Sequence, residues 1–162
     1  MRFDLTVNIL TNHAVNRGVI TVFGGSQQRP NIHIDDVAEL YVKLVEYPDA
    51  LIAGEVFNAG YQNHAVSDLA QLVRTVVERE MPERGPIRIE TIPSNDLRSY
   101  HVSSRKISER LGYAPRRTIE DAVRDLCAAF KQGKFPNSLT DDRHINVRMI
   151  KQMTPQLLAV GG

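Results

Sequence analysis

Residues 22–38 constrain this chain more than any other stretch: Val22, Phe23, Gly24, Gly25, Ser26, Gln27, Gln28, Arg29, Pro30, Asn31, Ile32, His33, Ile34, Asp35, Asp36, Val37 and Ala38. A strand must end at the glycine pair, where the backbone is free to turn. An extended piece, residues 32–34, follows Pro30, and Asp35 or Asp36 is placed to cap the next helix. Arg29 stands between the turn and that extended piece. Its planar guanidinium can grip phosphate oxygens through paired hydrogen bonds, or it can serve as a solvated or ion-paired loop arginine.

The rest of the chain alternates helix and strand without internal repeats. Residues 5–17 read as a modest helix closed by Gly18, where a left-handed cap suits glycine. Residues 19–23 are β-branched and aromatic and read as a strand. After residue 35, Val37, Leu40, Tyr41, Leu44 and Val45 recur at helical spacing, and that helix stops before Pro48. Residues 55–59 read as a buried strand ending at Gly60. Ser67 is the expected cap of an amphipathic helix that turns Leu69, Leu72, Val73, Val76 and Val77 inward. A turn at residues 82–86, a strand at 87–92 and a short helix at 104–111 follow. Thr118 and Asp121 have capping-box spacing and open the last strong helix. From residue 133 the pattern weakens, so residues 136–162 are expected to form a loosely packed tail on a domain spanning residues 1–135. The fold class expected is α/β, with a partial sheet and helices packed on its faces.

Composition excludes several classes. The 162 residues carry 20 Lys and Arg against 19 Asp and Glu, so net charge of +1 gives no reason to expect nucleic acid or an anionic membrane surface as partner. No apolar run is long enough to span a bilayer, and residues 1–5 do not resemble a secretion signal, which fits a cytoplasmic protein. One cysteine, Cys127, rules out an internal disulfide or thiolate zinc cage. His33 with Asp35 and Asp36 is better explained as a histidine beside helix-capping carboxylates than as a metal site. No Gly-x-Ser-x-Gly elbow is present. No metal ligands and no catalytic residues are therefore assigned.

Three stretches carry a family resemblance. Gly25, Arg29, His33, Asp36, Val37 and Ala38 resemble the G-x-x-x-R-x-x-x-H-V-x-D-V-A segment of the extended short-chain dehydrogenases/reductases, the NAD-dependent nucleotide-sugar epimerases and dehydratases. Asp96, Arg98, Tyr100, Ser104, Lys106, Ile107, Leu111, Gly112, Tyr113 and Pro115 are similar to that family's D-x-R-x-Y, S-K-I and L-G-F-x-P stretch. Gly54, Phe57, Asn58 and Gly60 resemble its G-x-x-F/Y-N-x-G strand.

The resemblance implies a partial Rossmann-like sheet joined to the family's small α/β substrate-binding region. It also implies a set of substrate-binding residues. Arg29 and Arg98 would hold the diphosphate and Asp96 the ribose, with Tyr100 beside them. Thr21 and Phe23 would line the nucleotide base, Phe23 being equally suited to the core. Asn8 and Leu10 match positions that reach the substrate phosphate, with Ile9 departing from the family's paired asparagines.

The glycine-rich strand-turn-helix that receives the pyrophosphate of NAD is missing from the sequence, and so is the Tyr-x-x-x-Lys pair. On this reading the chain is the carboxyl-terminal, substrate-holding portion of an epimerase/dehydratase. NAD belongs to the complete family enzyme and is not expected on this chain alone. Its expected partners are a nucleotide-diphosphate sugar and either a separately encoded NAD-binding half or a second copy. Rival readings are a non-catalytic nucleotide-sugar module and a truncated product that needs a partner chain.

Overall fold

The computed structural model describes residues 1–95 and 98–159, with side chains as far as residue 153. Its elements run α1 (Thr6–Arg17), β1 (Val19–Phe23), β2 (Gln28–Asn31), α2 (Ile34–Glu46), α3 (Asp49–Ile52), β3 (Gln62–Ala65), α4 (Val66–Glu80), β4 (Arg88–Ile92), α5 (Arg105–Leu111), α6 (Ile119–Lys131) and α7 (Asn146–Ala159).

Among the described residues the strands form two pairs. β1 and β4 are parallel, with Val19 opposite Arg88 and Phe23 opposite Ile92. β2 and β3 are antiparallel, with Gln28 opposite Ala65 and Asn31 opposite Gln62. The fold is therefore α/β with parallel strands, as expected. A parallel pair needs a long crossover, and here that crossover contains the β2–β3 pair together with α2 and α4.

Helices α1, α4 and α6 cover one core with β1 and β4. Leu10, Ala14, Ile20, Val22, Leu69, Val73, Val77 and Val123 are fully enclosed there. A second, smaller cluster joins Leu40 of α2 to Ile107, Leu111 and Tyr113, with Leu44, Tyr47 and Phe57 packed around it. The two clusters are bridged by Asp36, which is only 1% exposed. Its Oδ2 accepts the backbone N–H groups of Arg116 (3.1 Å) and Arg117 (2.9 Å), and its Oδ1 accepts from Arg117 Nη1 at 2.8 Å. The Tyr113 hydroxyl donates to the Asp36 carbonyl at 2.6 Å. The residue expected to cap α2 thus faces inward as a clamp. His33 is the cap instead, its Nδ1 accepting the Asp35 N–H at 3.2 Å.

Other elements differ from expectation in instructive ways. The extended piece lies at residues 28–31, not 32–34, so Arg29 is inside a strand. Residues 55–59 form no strand, because Phe57 and Ala59 pack sideways into the second cluster. α4 begins at Val66 with no side-chain cap, and the Ser67 N–H donates to Gly25 O at 2.9 Å. The expected apolar stripe of α2 is only partly covered: Leu40 is buried, whereas Tyr41 and Val45 are exposed. The predicted capping box of α6 is present in full.

The tail carries more structure than its sequence pattern suggests. Ser138 is buried against α1, where Asn12 Nδ2 donates to its carbonyl at 3.1 Å and Ser138 Oγ to Asn12 Oδ1 at 2.7 Å. The rings of Phe3, Phe130, Phe135 and His144 pack together, with centroids 5.1–5.7 Å apart for the three Phe3 contacts. Two half-buried carboxylates help to hold this junction. Arg143 beside Asp141 keeps its carboxyl down at about 2, and Arg2 beside Asp4 holds that one below its ordinary value. Asp4 also accepts the Asn146 N–H at 3.1 Å.

Two outcomes follow. Asp36→Ala strands two backbone N–H groups and Arg117, so it should cost about 3 kcal/mol in urea unfolding, whereas exposed Asp35→Ala should cost far less. For the tail, both carboxylates have native pKa values below the unfolded one. Their contribution is complete above the ordinary carboxylate range and is lost as pH falls toward about 2. Amide protection factors at residues 138–146, the exchange rate divided into its intrinsic rate at each pH, should be unchanged between neutral pH and pH about 5, and should fall only in stronger acid.

Candidate functional site

Strand alternation builds the first wall of the site. Ile20 and Val22 point into the core, which sends Thr21 and Phe23 to the opposite face of β1. Phe23, suited by sequence to core or ligand, is 58% exposed and so is not core. α1 supplies the second wall through Ile9, Leu10 and His13, whose three- and four-residue spacing places them on one side of the helix. Between these walls lies a pocket of about 210 Å³, closed by Gln27, Arg29 and Ser94.

The turn after β1 is shaped by its glycines. Gly24 and Gly25 have φ of 75° and 119°, which suit glycine. Gln27 locks them, its Oε1 accepting the Gly25 N–H at 2.7 Å and its Nε2 donating to Phe23 O at 3.2 Å. That turn delivers Arg29 to the pocket. The segment after β4 lies along β2. Tyr100 N–H donates to Gln28 O at 3.1 Å, and Gln28 N–H to Ser99 Oγ at 2.9 Å. Asn63 exchanges two 3.0 Å bonds with the backbone of Val102. Arg29 Nη1 donates to the carbonyls of Arg98 (2.7 Å) and Gln28 (3.0 Å), and its guanidinium stands 5.6 Å from the centre of the Tyr100 ring. That spacing is within cation–π range.

Arg29 also lines a second, larger cavity. This cleft of about 770 Å³ opens between the start of α1, β2, the loop before α2 and α6, and its wall includes Leu5, Asn8, Ile34, Arg117 and Leu126. α1 enters it with no side-chain cap and no acidic residue in its first turn. On its rim, His33 Nε2 lies 3.3 Å from Asp125 Oδ2, with Asp35 close by. A metal-bound imidazole normally donates its second N–H. Here that nitrogen instead accepts the Asp35 N–H that caps α2.

The structure therefore gathers Leu10, Thr21, Phe23 and Arg29 around one pocket and sets Tyr100 and the Arg98 backbone beside it. Asn8 lines the neighbouring cleft, but its amide is occupied by the Arg2 carbonyl at 2.8 Å. Asp96 lies outside the described residues. His13, Gln27 and Ser94 were missed by the sequence reading. Only for His13 was there a signal, its helical spacing from Ile9. Burial, with Arg17 adding to it, moves the His13 pKa below its ordinary value.

Comparison with known proteins gives a pattern and a fold. Residues 5–60 match the model of the NAD dependent epimerase/dehydratase family. UDP-glucuronic acid 4-epimerase from Bacillus cereus, solved with UDP-glucuronic acid and NAD, is 23% identical with a TM-score of 0.61, over 82% of this chain and 41% of that one. dTDP-glucose 4,6-dehydratase from Bacillus anthracis, solved with NAD, is 14% identical with a TM-score of 0.61, over 83% and 41%. Pal from Bacillus thuringiensis is 20% identical with a TM-score of 0.62, over 79% and 39%. The chain thus spans 39–41% of the length of these solved relatives.

These matches correct the sequence assignment to a carboxyl-terminal, sugar-holding portion that lacks the NAD-binding one. The family match falls on residues 5–60, and with the partial coverage the likeness is to the NAD-binding portion of the family and not to its sugar-binding portion. The α/β fold with parallel strands is like the Rossmann part of those enzymes. Among the described residues no helix is long and apolar enough to cross a membrane.

Proposed function

We propose that this chain binds the nucleoside-diphosphate group of a ligand at Arg29, as part of a protein of the NAD-dependent epimerase/dehydratase type. The observation that supports this reading is the position of Arg29, which lines both the 210 Å³ pocket and the 770 Å³ cleft. A charged fork between two cavities suits a ligand that is itself divided by a diphosphate. The smaller cavity is below the roughly 300–1,000 Å³ of pockets that enclose whole ligands, so it takes one moiety. The exposed face of Phe23 offers a flat heterocycle a stacking surface, beside Thr21 and Leu10. The cleft takes the remainder, with the uncapped start of α1 adding backbone N–H groups for phosphate oxygens.

A diphosphate flanked by a nucleoside occurs both in NAD, on which the family depends, and in nucleotide sugars such as the one held by the Bacillus cereus relative. These residues fit the diphosphate of either. NAD when bound supplies hydride acceptance, but the sequence has no Tyr-x-x-x-Lys pair to manage the accompanying proton. The role given to the described residues is accordingly to bind and orient, not to turn over.

Calorimetric titration of NAD and of UDP-, dTDP-, GDP- and CDP-sugars into the purified chain tests this reading. Saturable binding of one class is expected, with Arg29→Ala weakening it at least about tenfold and Arg29→Lys less so, because lysine keeps the charge and loses the fork. Binding of NAD alone assigns the site to the dinucleotide, and binding of a sugar nucleotide alone assigns it to substrate. A folded chain that binds none of them overturns the proposal.

A further inference from the structure

Helix α2 has a wider apolar side than this chain covers. Leu40 and Leu44 pack into the second cluster. Ile34, Ala38, Tyr41, Val42 and Val45 recur at helical spacing and share a stripe along the helix. All five are exposed, Tyr41 to 68% and Val45 to 87%. The run at residues 56–59 is open as well. Phe57 and Ala59 turn into the second cluster, Val56 remains 80% exposed, and among the described residues the N–H groups of the run meet no acceptor. Leu44 stands one turn from Tyr41 and packs into the same cluster as Phe57, so stripe and run adjoin. Contiguous apolar faces of this kind mark sites of association.

The chemistry of the face selects its occupant. Charged side chains of α2 are engaged within the chain, Glu39 with Arg116 and Arg117, and Lys43 at 5.8 Å from the centre of the Tyr113 ring. What touches the stripe must therefore be apolar. The stripe is also its own complement. A two-fold axis passing between Ala38 and Tyr41 reverses the helix. It sets Ile34 against Val45 and Ala38 against Tyr41 of the other copy, a small side chain opposite a large one. Apolar side chains of this size present on the order of 100 Å² each. Ile34, Tyr41, Val42, Val45 and Val56 thus bring roughly 500 Å² toward the about 800 Å² that a specific interface takes from each partner. The backbone of the run and the polar rim of α2 supply the rest.

We propose that this face binds a second copy of the chain as a closed two-fold dimer, with α2 antiparallel to its counterpart and the run at residues 56–59 covered by the same copy. The dimer stands or falls independently of what Arg29 binds. Ile34 also lines the 770 Å³ cleft, so the pairing places the second copy at the edge of that site.

Sedimentation velocity of the purified chain from about 1 to 100 µM is the test. The mass should rise from one copy to two and stop there, because a two-fold contact closes on itself. Val45→Lys and Ala38→Lys alter exposed positions, so both variants are expected to fold, as a thermal melt will check. Each should weaken the dimer at least about tenfold, since every substitution enters the interface twice. Val147→Lys, which charges an exposed apolar position on α7, should leave the dimer unchanged. Amide exchange at residues 56–59 should slow as the dimer forms. A chain that stays monomeric at the highest concentration overturns the proposal and leaves the face to a different chain. So does a dimer that Val45→Lys and Ala38→Lys leave intact, a dimer weakened equally by Val147→Lys, or growth beyond two copies. Unchanged exchange at residues 56–59 overturns the part given to that run.

Discussion

The buried carboxylate of Asp36 is the interaction on which the arrangement depends. A charge out of water is tolerable only when its partners are complete, and here three N–H donors from Arg116 and Arg117 surround it while Tyr113 holds the backbone of the same residue. Those partners come from the loop that leads into α6, so one side chain locks the start of α2 to the start of α6. The first core contains α6 and the second contains Leu40 of α2. Glu39, one turn further along α2, adds ion pairs to the same Arg116 and Arg117.

From that fixed start of α2 the geometry of the site follows. His33 caps the helix and ends the segment that leaves β2, so the position of α2 fixes one end of β2. The glycine turn locked by Gln27 fixes the other end. Between them Arg29 has little freedom, and its Nη1 is further tied to the carbonyl of Arg98. Arg29, which lines both cavities, is thereby held in place before any ligand arrives. Such preorganisation lowers the cost of ordering a long, flexible side chain on binding.

Legibility in the sequence followed the range of the forces involved. The helix ends at Gly18 and Gly112 and the capping box of Thr118 and Asp121 are governed by groups a few residues apart, and they stand where the sequence places them. So does β1. The strands β2 and β3 were not legible. They read Gln-Arg-Pro-Asn and Gln-Asn-His-Ala, with no apolar alternation, and exist because each supplies the other's hydrogen bonds. The stretch 55–59 looked like a strand because it is apolar, but its burial is met by side-chain packing around Phe57 and needs no ladder. The family pattern was legible in residues 22–38, whereas the portion of the family to which the chain was assigned needed correction by the comparisons.

The sequence by itself determined the α/β class, most helix boundaries, and an arginine delivered just beyond a glycine turn. Each is set by backbone preference or by apolar spacing within a few residues. Tertiary structure decided that Asp36 clamps rather than caps, that Phe23 faces a pocket rather than the core, and that an unremarked His13 stands opposite it. These outcomes depend on partners far away in the chain, such as Tyr113 and Arg117, which lie 77 and 81 residues from Asp36. Local pattern carries no record of them, because a side chain's role is fixed by which distant group meets its unsatisfied hydrogen bonds once the core has closed.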